Sequence, residues 1–235
     1  VNNPTNYIFL SSKALERDLL SFQEEVTNLM LGSEEETIKY FEDNFNKFQR
    51  SLSNILEGGE RIRTIVQDLR SFSRLDEAEK KQANVSEILD SSLRIVKTQY
   101  NRDIKINTKY LVNRAIECYP AQLGQVFLNV LINACQAILQ KQKNTKDIYA
   151  GKIYITLQAD SHELKTIIED NGCGMSDEVR TQIFEPFFTT KLVGQGTGLG
   201  MSISYGIIQK HNGQITVESE VDKGTVVIIS LPLIN

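Results

Sequence analysis

Apolar positions in the first third of the chain recur at alternating steps of four and three. The first series is Leu15, Leu19, Phe22, Val26 and Leu29, after an isolated Ile8. The second is Phe45, Phe48, Leu52, Ile55, Gly59, Ile62, Val66 and Leu69. Both are helical seams of the coiled-coil type. Gly32 and Ser33 separate them, and the acidic run Glu34 to Glu36 suits the start of the second helix. Near the start, either Asn3 caps a helix whose first turn holds Pro4, or the helix begins upstream and Pro4 kinks it. Gly58-Gly59 interrupts the second seam at a cost of about 1 kcal/mol per glycine. Either the helix kinks there or another backbone packs close; close packing is the expectation. Arg70 and Arg74 complement the C-terminal end of the dipole.

A polar linker (Asp76 to Gln82) leads to a different pattern. Val85, Ile88, Leu89, Ser92, Leu93 and Val96 share one helical face, with Ile95 off it. Ile104, Ile106, Thr108 and Tyr110 alternate as a half-buried strand. Pro120 opens a helix carrying Leu123, Val126, Phe127, Val130, Leu131, Ala134 and Ile138. The polar stretch from Lys141 to Gly151 reads as a solvated loop. Two hairpins follow: Ile153 to Leu157 with Leu164 to Ile168, and Gln214 to Glu220 with Val226 to Leu231, the latter turning at Asp222-Lys223-Gly224. The predicted class is α+β. An antiparallel helical hairpin (residues 1–78) precedes an α/β sandwich (residues 79–235), a mixed sheet with helices on one face. Two seam helices cannot bury both faces alone, so two copies are expected to pair into a symmetric four-helix bundle.

Composition narrows the function classes. The net charge of −4 gives no support to nucleic-acid binding. No apolar run reaches bilayer length and no signal peptide is visible, so no membrane contact is expected within this stretch. Cys118, Cys135 and Cys173 lack metal-ligand spacing, and an odd count of thiols fits a reducing cytosol. Cys173, within a glycine loop, reads as a small filler before it reads as a redox group. Of the two histidines, His162 falls in a polar turn. His211 ends a helix before Asn212-Gly213, where a structural role is expected.

The chemistry concentrates between Ile167 and Gly200. An apolar run ends in Asp170, which opens DxGxG with Gly172 and Gly174. A second cluster, Gly194, Gly196, Gly198 and Gly200, precedes a helical pattern (Met201, Ile203, Ser204, Ile207, Ile208). Free backbone N–H groups leading into a helix N-terminus suit phosphate. The Asp170 carboxylate can accept a hydrogen bond from an exocyclic amine. Asn129 and Asn133, four apart, share one face of the Pro120 helix. Their carbonyl oxygens are hard donors of the kind Mg²⁺ takes.

Four boxes in order resemble the ATP-binding domain of sensor histidine kinases: QVFLNVLINACQAI the asparagine box, DNGCG the first glycine box, EPFFTTK the phenylalanine box and GTGLGMSIS the second glycine box. The resemblance implies ATP and Mg²⁺ as cofactors. Asn133 would be the Mg²⁺ ligand and Asn129 would face the phosphates. Asp170 would select adenine beside Gly172 and Gly174, with Thr225 nearby. Gly196, Thr197, Gly198, Leu199 and Gly200 would cradle the phosphates. The segment between the glycine boxes would be a lid, anchored by Phe184, Phe187 and Phe188, with Lys191 reaching the terminal phosphates.

The first helices also resemble this family's dimerisation and histidine-phosphotransfer domain. VNNPTNYI is similar to the tail of a His-Glu-x-Asn-Asn-Pro box, which would place the acceptor histidine just before Val1. EGGERIRTIVQDLRSFSR is similar to the second helix. Asn3 would then be the residue that supports phosphatase action, or a plain N-cap. The implied activity is phosphorylation of a histidine, then transfer to an aspartate of a response-regulator receiver domain. It implies a cytoplasmic homodimer, with membrane anchoring of a longer protein left open. An ATP-driven dimer clamp and a non-catalytic ATP-sensing scaffold are the alternatives.

Overall fold

The computed structural model describes residues 4–29, 35–73, 79–100, 104–145, 149–191 and 197–233. Asn3, Gly32, Ser33, Arg74, linker residues 76–78, Gly194 and Gly196 lie outside them. The chain divides into two compact units, one holding Val1–Arg70 and the other Ser71–Thr190 with Gly198–Asn235; Lys191–Thr197 is not part of the second.

The first unit contains helix α1 (Pro4–Leu29) and helix α2 (Glu35–Ser73) as far as Arg70. The rings of Phe22 and Phe45 pack at 5.9 Å, and Gln49 Nε2 donates to Gln23 Oε1 at 3.0 Å. The α2 seam separates into two rows. Phe45, Leu52 and Gly59 are buried. Phe48, Ile55 and Ile62 are 62%, 51% and 50% exposed, an apolar stripe without cover in the single chain. Helix α2 runs unbroken through Gly58-Gly59. A Cβ at Gly58 would meet nothing within 4 Å in this chain, while Gly59, the seam position, is buried.

The second unit begins with strand β1 (Lys81–Asn84), helix α3 (Val85–Tyr100), strands β2 (Ile104–Tyr110) and β3 (Ala115–Cys118), and helix α4 (Pro120–Asn144). Strands β4 (Gly151–Ala159) and β5 (Glu163–Asp170), helices α5 (Asp177–Gln182) and α6 (Gly200–Lys210), and strands β6 (Gln214–Glu220) and β7 (Gly224–Pro232) complete it. The main sheet runs β2-β4-β5-β7-β6. β2 pairs parallel to β4, and the other pairs are antiparallel. Period two sends Ile153, Ile155, Leu157, Leu164, Ile168, Val227, Ile229 and Leu231 to one buried face. The buried sides of α3, α4 and α6 join the same core: Leu89, Leu93, Phe127, Leu131, Ile203 and Ile207. The result is the expected mixed sheet in a two-layer α/β sandwich.

Two features of this unit differ from the sequence reading. Lys81–Asn84 lies half within the expected linker, yet pairs antiparallel with Ala115–Cys118 as a small second sheet. A four-residue polar strand has no alternation to read, and its pairing is tertiary. Helix α4 continues through Lys141 to Asn144, into the stretch expected to be loop. It is also long and apolar enough, by composition alone, to cross a bilayer. Here that apolar side is core: every residue the periodicity selects is buried, joined by Gln122 and Cys135.

Phe127 is fully buried, whereas Ile95 on α3 is 54% exposed. Phe127→Ala is expected to lower the unfolding free energy by about 3–5 kcal/mol. Ile95→Ala is expected to change it by less than about 0.5 kcal/mol. Urea unfolding of both variants measures the contrast.

Candidate nucleotide site

Asp170 is the last residue of β5 and falls on the same face as Leu164, Thr166 and Ile168. The strand period therefore carries its carboxylate under the helical layer, where it is only 8% exposed. Two backbone donors receive it. Gly172 N–H donates to Oδ1 at 2.7 Å, and the Thr225 backbone, its register partner on β7, donates as well. Close packing shapes the surrounding loop. A Cβ at Gly172 would meet the α4 backbone at Ala137 at 2.7 Å and Asp170 Oδ1 at 2.8 Å. Gly224, at φ +124°, lies so close above Asp170 that a Cβ would come within 2.0 Å of its carbonyl oxygen. Burial raises the Asp170 pKa from 3.8 to about 6, against the two backbone donors and Lys141, which lower it. At neutral pH the group is a buried carboxylate with acceptor capacity to spare.

Thr225 is buried beside it. Ser219 Oγ donates to the Gly224 carbonyl at 3.0 Å and accepts from Met175 N–H at 2.9 Å. The Thr225 hydroxyl, 2.9 Å from Ser219 Oγ, is then the donor of that pair. Gly174, at φ +64°, closes the first glycine loop against β6: a Cβ there would reach 1.9 Å from the Glu220 carbonyl oxygen. The same loop is fixed by Cys173 N–H to Ala137 O at 3.2 Å and Asp222 N–H to Cys173 O at 2.7 Å.

The second glycine loop leads into α6, whose first residue is Gly200 and whose cap is the buried Leu199. Gly198 has φ +69°, and a Cβ would stand 2.4 Å from the Phe187 carbonyl carbon. Phe187 N–H donates to Gly198 O at 3.0 Å, joining the phenylalanine box to the glycine box. Phe187 itself has φ +69° and is largely exposed. Phe184 packs against Tyr205 of α6 at 5.4 Å, and Phe188 N–H returns to Glu185 O at 3.3 Å. Asn129 on α4 reaches this loop: its Nδ2 donates to Gly200 O at 3.0 Å and to Ser204 Oγ at 3.3 Å. Its donor end thus braces the first turn of α6, and the carbonyl oxygen is its other polar end. Asn133 lies one turn further along α4 and is half-buried. Lys191 and Thr197 flank residues 192–196, which lie outside the described residues; burial pushes the Lys191 ammonium below its usual range.

Four contributors were not singled out from sequence: Lys141, Tyr149, Asn171 and Ser219. Asn171 follows the recognised aspartate directly, and a hydrogen-bonding side chain at that position was the one available signal. Its Oδ1 accepts from Lys152 N–H at 2.8 Å and its Nδ2 donates to Ala150 O at 3.0 Å. His211 is structural, as expected. Its Nδ1 donates to Ile207 O at 2.8 Å and its Nε2 accepts from Tyr119 N–H at 3.0 Å, so both ring nitrogens are engaged in a neutral ring. Burial raises all three thiols, Cys118 to about 11 and Cys135 to about 12, which keeps them protonated and argues against a thiolate role.

A carboxylate between two glycine-lined loops and a helix with two asparagines is the arrangement of a nucleotide-binding ATPase. The model of the histidine kinase-, DNA gyrase B- and HSP90-like ATPases matches residues 118–235. Sporulation kinase E of Bacillus subtilis (strain 168) is 32% identical over 176 residues, 74% of this chain and 22% of that protein. The signal transduction histidine-protein kinase AtoS of Escherichia coli (strain K12) is 34% identical over 191 residues, 79% of this chain and 29% of its own length. The mycobacterial sensor histidine kinase MprB structure superposes with a TM-score of 0.56 at 26% identity, over 66% of this chain and 97% of that one. The chain belongs to this ATPase family, and its ATP-binding half is that of a two-component histidine kinase. It spans between a fifth and a third of the length of the two curated relatives.

The Asp170 pKa makes a stability prediction. Between about 4 and 6 the folded state binds more protons than the unfolded chain, so this group's contribution falls as pH rises through that window. A rise of the pKa from 3.8 to about 6 corresponds to about 3 kcal/mol by pH 7. His211 acts in the opposite sense: its folded pKa lies below 6.5, so its contribution grows as pH rises toward that value. The difference between wild type and Asp170→Asn isolates the carboxylate. The stability of Asp170→Asn relative to wild type is expected to increase from pH 4 to pH 6 and then level off, as read by thermal unfolding across that range.

Proposed function

We propose that this chain is the catalytic core of a sensor kinase that binds Mg-ATP and phosphorylates a histidine preceding Val1. The observation that carries the reading is the buried Asp170 carboxylate at the end of β5, held by the backbone of Gly172 and Thr225. A buried carboxylate with its backbone donors in place and acceptor capacity left suits the exocyclic amine of adenine. The backbone of Gly198 to Gly200 at the α6 N-terminus suits phosphate oxygens, with Gly196 and Thr197 extending the cradle. Thr225 and the Gly172–Gly174 loop would border the base. Lys191 would add a point charge near the terminal phosphate.

The donor set on α4 fits Mg²⁺, which takes a few hard oxygens and keeps waters and phosphate oxygens in its shell. Asn133 would supply its carbonyl oxygen. Asn129, whose nitrogen end holds α6, would keep the phosphate cradle in place from the same helix face. When bound, the metal supplies neutralisation of charge on the phosphates, and the protein's share of phosphoryl transfer is positioning.

The exposed row Phe48, Ile55 and Ile62, together with exposed Leu15 and Phe22, supports the paired arrangement. We assign α1 and α2 to an antiparallel hairpin that pairs with a second copy as a four-helix bundle. Residues 1–78 would form this dimerisation domain and residues 79–235 the ATP-binding domain. Asn3 would lie four residues after the acceptor histidine and support dephosphorylation. The phosphoryl group would pass to the aspartate of a response-regulator receiver domain, and the whole would work in the cytoplasm, where ATP is supplied.

The test compares this chain with one extended upstream through its native residues, each incubated with Mg²⁺ and γ-labelled ATP. Acid-labile, base-stable label is expected on the longer chain only, and Asn133→Ala is expected to reduce it at least tenfold. ATP binding without label on either chain would overturn the kinase reading.

A further inference from the structure

We propose that Lys141 is a positioning residue of the nucleotide site, whose ammonium locks the loop after Asp170 against the β6–β7 turn and thereby sets the aim of the carboxylate at the base. The inference rests on the adenine-selecting reading of Asp170 above and goes beyond it by naming what holds that group in register.

Lys141 lies in the last turn of α4, two turns beyond Asn133. Its Nζ donates to Asp222 O at 2.5 Å and to Asn171 O at 3.3 Å, and stands 4.6 Å from the centre of the Tyr149 ring. Two carbonyls and one aromatic face match the three donors of an ammonium group. Both carbonyls belong to the frame of the site. Asn171 is the residue next to Asp170, and its carbonyl also receives the Tyr149 hydroxyl. Its side chain is tied to Ala150 and Lys152, at the start of the neighbouring strand.

Asp222 sits in the turn after β6 at φ +62°, the left-handed region that aspartate enters more readily than most residues. Its N–H donates to Cys173 O, within the first glycine loop. The turn therefore receives Lys141 at one end of the Asp222 residue and grips the glycine loop with the other. Two residues later Gly224 presses onto the Asp170 backbone. One cation thus joins α4, the loop leaving β5 and the turn entering β7. These three elements bracket the carboxylate. Charge adds to geometry: Lys141 favours the ionised form of Asp170, and Glu169 opposes it. Among the described residues, Cys135 on α4, Cys173, Asp222 and Tyr149 also stand near that pair.

A point charge that attracted phosphate, or a residue that merely stabilised the fold, would act on all nucleotides alike. A residue that aims Asp170 acts on the exocyclic amine alone. Inosine triphosphate carries the same sugar and phosphates with a carbonyl oxygen in place of that amine, so the ratio of ATP to inosine triphosphate affinity is the readout. Lys141→Met keeps most of the aliphatic stem and removes the donors. It is expected to weaken ATP binding about tenfold, on the order of 1.4 kcal/mol, and to change inosine triphosphate binding less than about twofold. Within an Asp170→Asn background it is expected to have no further effect on the ratio.

Tyr149→Phe, which removes only the second donor to the Asn171 carbonyl, serves should Lys141→Met not fold. It is expected to shift the ratio the same way by about two- to threefold. Equal losses for the two nucleotides, or an unchanged ratio in a folded variant, overturn the inference. A wild-type chain that fails to discriminate between them would instead overturn the reading of Asp170 itself.

Discussion

Placing a carboxylate beneath a helical layer is unfavourable unless donors replace its water. Asp170 meets that constraint through the backbone of Gly172 and Thr225, and the rest of the second unit is organised around the solution. The donors reach the carboxylate only because the chain turns tightly on either side of it. Those turns require the close approaches at Gly172 and Gly224, where no Cβ fits. Burial still pushes its pKa up to about 6, against the two backbone donors and Lys141. A group kept ionised at some cost to stability, at the end of a strand and beside two glycine loops, is arranged for a ligand.

Helix α4 connects the core to the chemistry. One side, from Leu123 to Ile138, is the apolar spine of the sandwich. Its shoulder carries Asn129, which holds the first turn of α6, and Asn133 one turn on. Its last turn carries Lys141, which holds the loop and turn around Asp170. Both glycine loops are therefore fastened to one rigid element, at its middle and at its end. At the opposite end, Tyr119 beside α4 receives His211 from the end of α6, so the two helices are tied at both ends of α6. A site built between loops gains its definition from this helix, since loops alone would not hold a fixed spacing.

Periodicity made much of this legible. Most apolar residues that the sequence places on one face of α3 and α4 are buried, Ile88 only partly, and Ile95 is outside as expected. Both long hairpins appear with their turns. Glycine spacing around Asp170 and Gly198 marked the loops, because only a backbone without Cβ permits their closeness. The same alternation puts Asp170 on the buried face of Leu164 and Ile168. What stayed hidden depends on tertiary partners. Lys141 resembles any lysine in a polar run until Asn171, Asp222 and Tyr149 surround it. β1 is too short and polar to announce a strand, and its partner β3 lies beyond α3.

The proposed recognition of an adenine base by Asp170 is open to direct observation. The decisive experiment is a crystal structure of this chain with Mg²⁺ and a non-hydrolysable ATP analogue. The exocyclic amine is expected within hydrogen-bonding distance of the Asp170 carboxylate, about 2.7–3.2 Å, with the phosphates at the N-terminus of α6. An analogue bound with its base away from Asp170, or with its phosphates clear of Gly198 to Gly200, would refute that recognition.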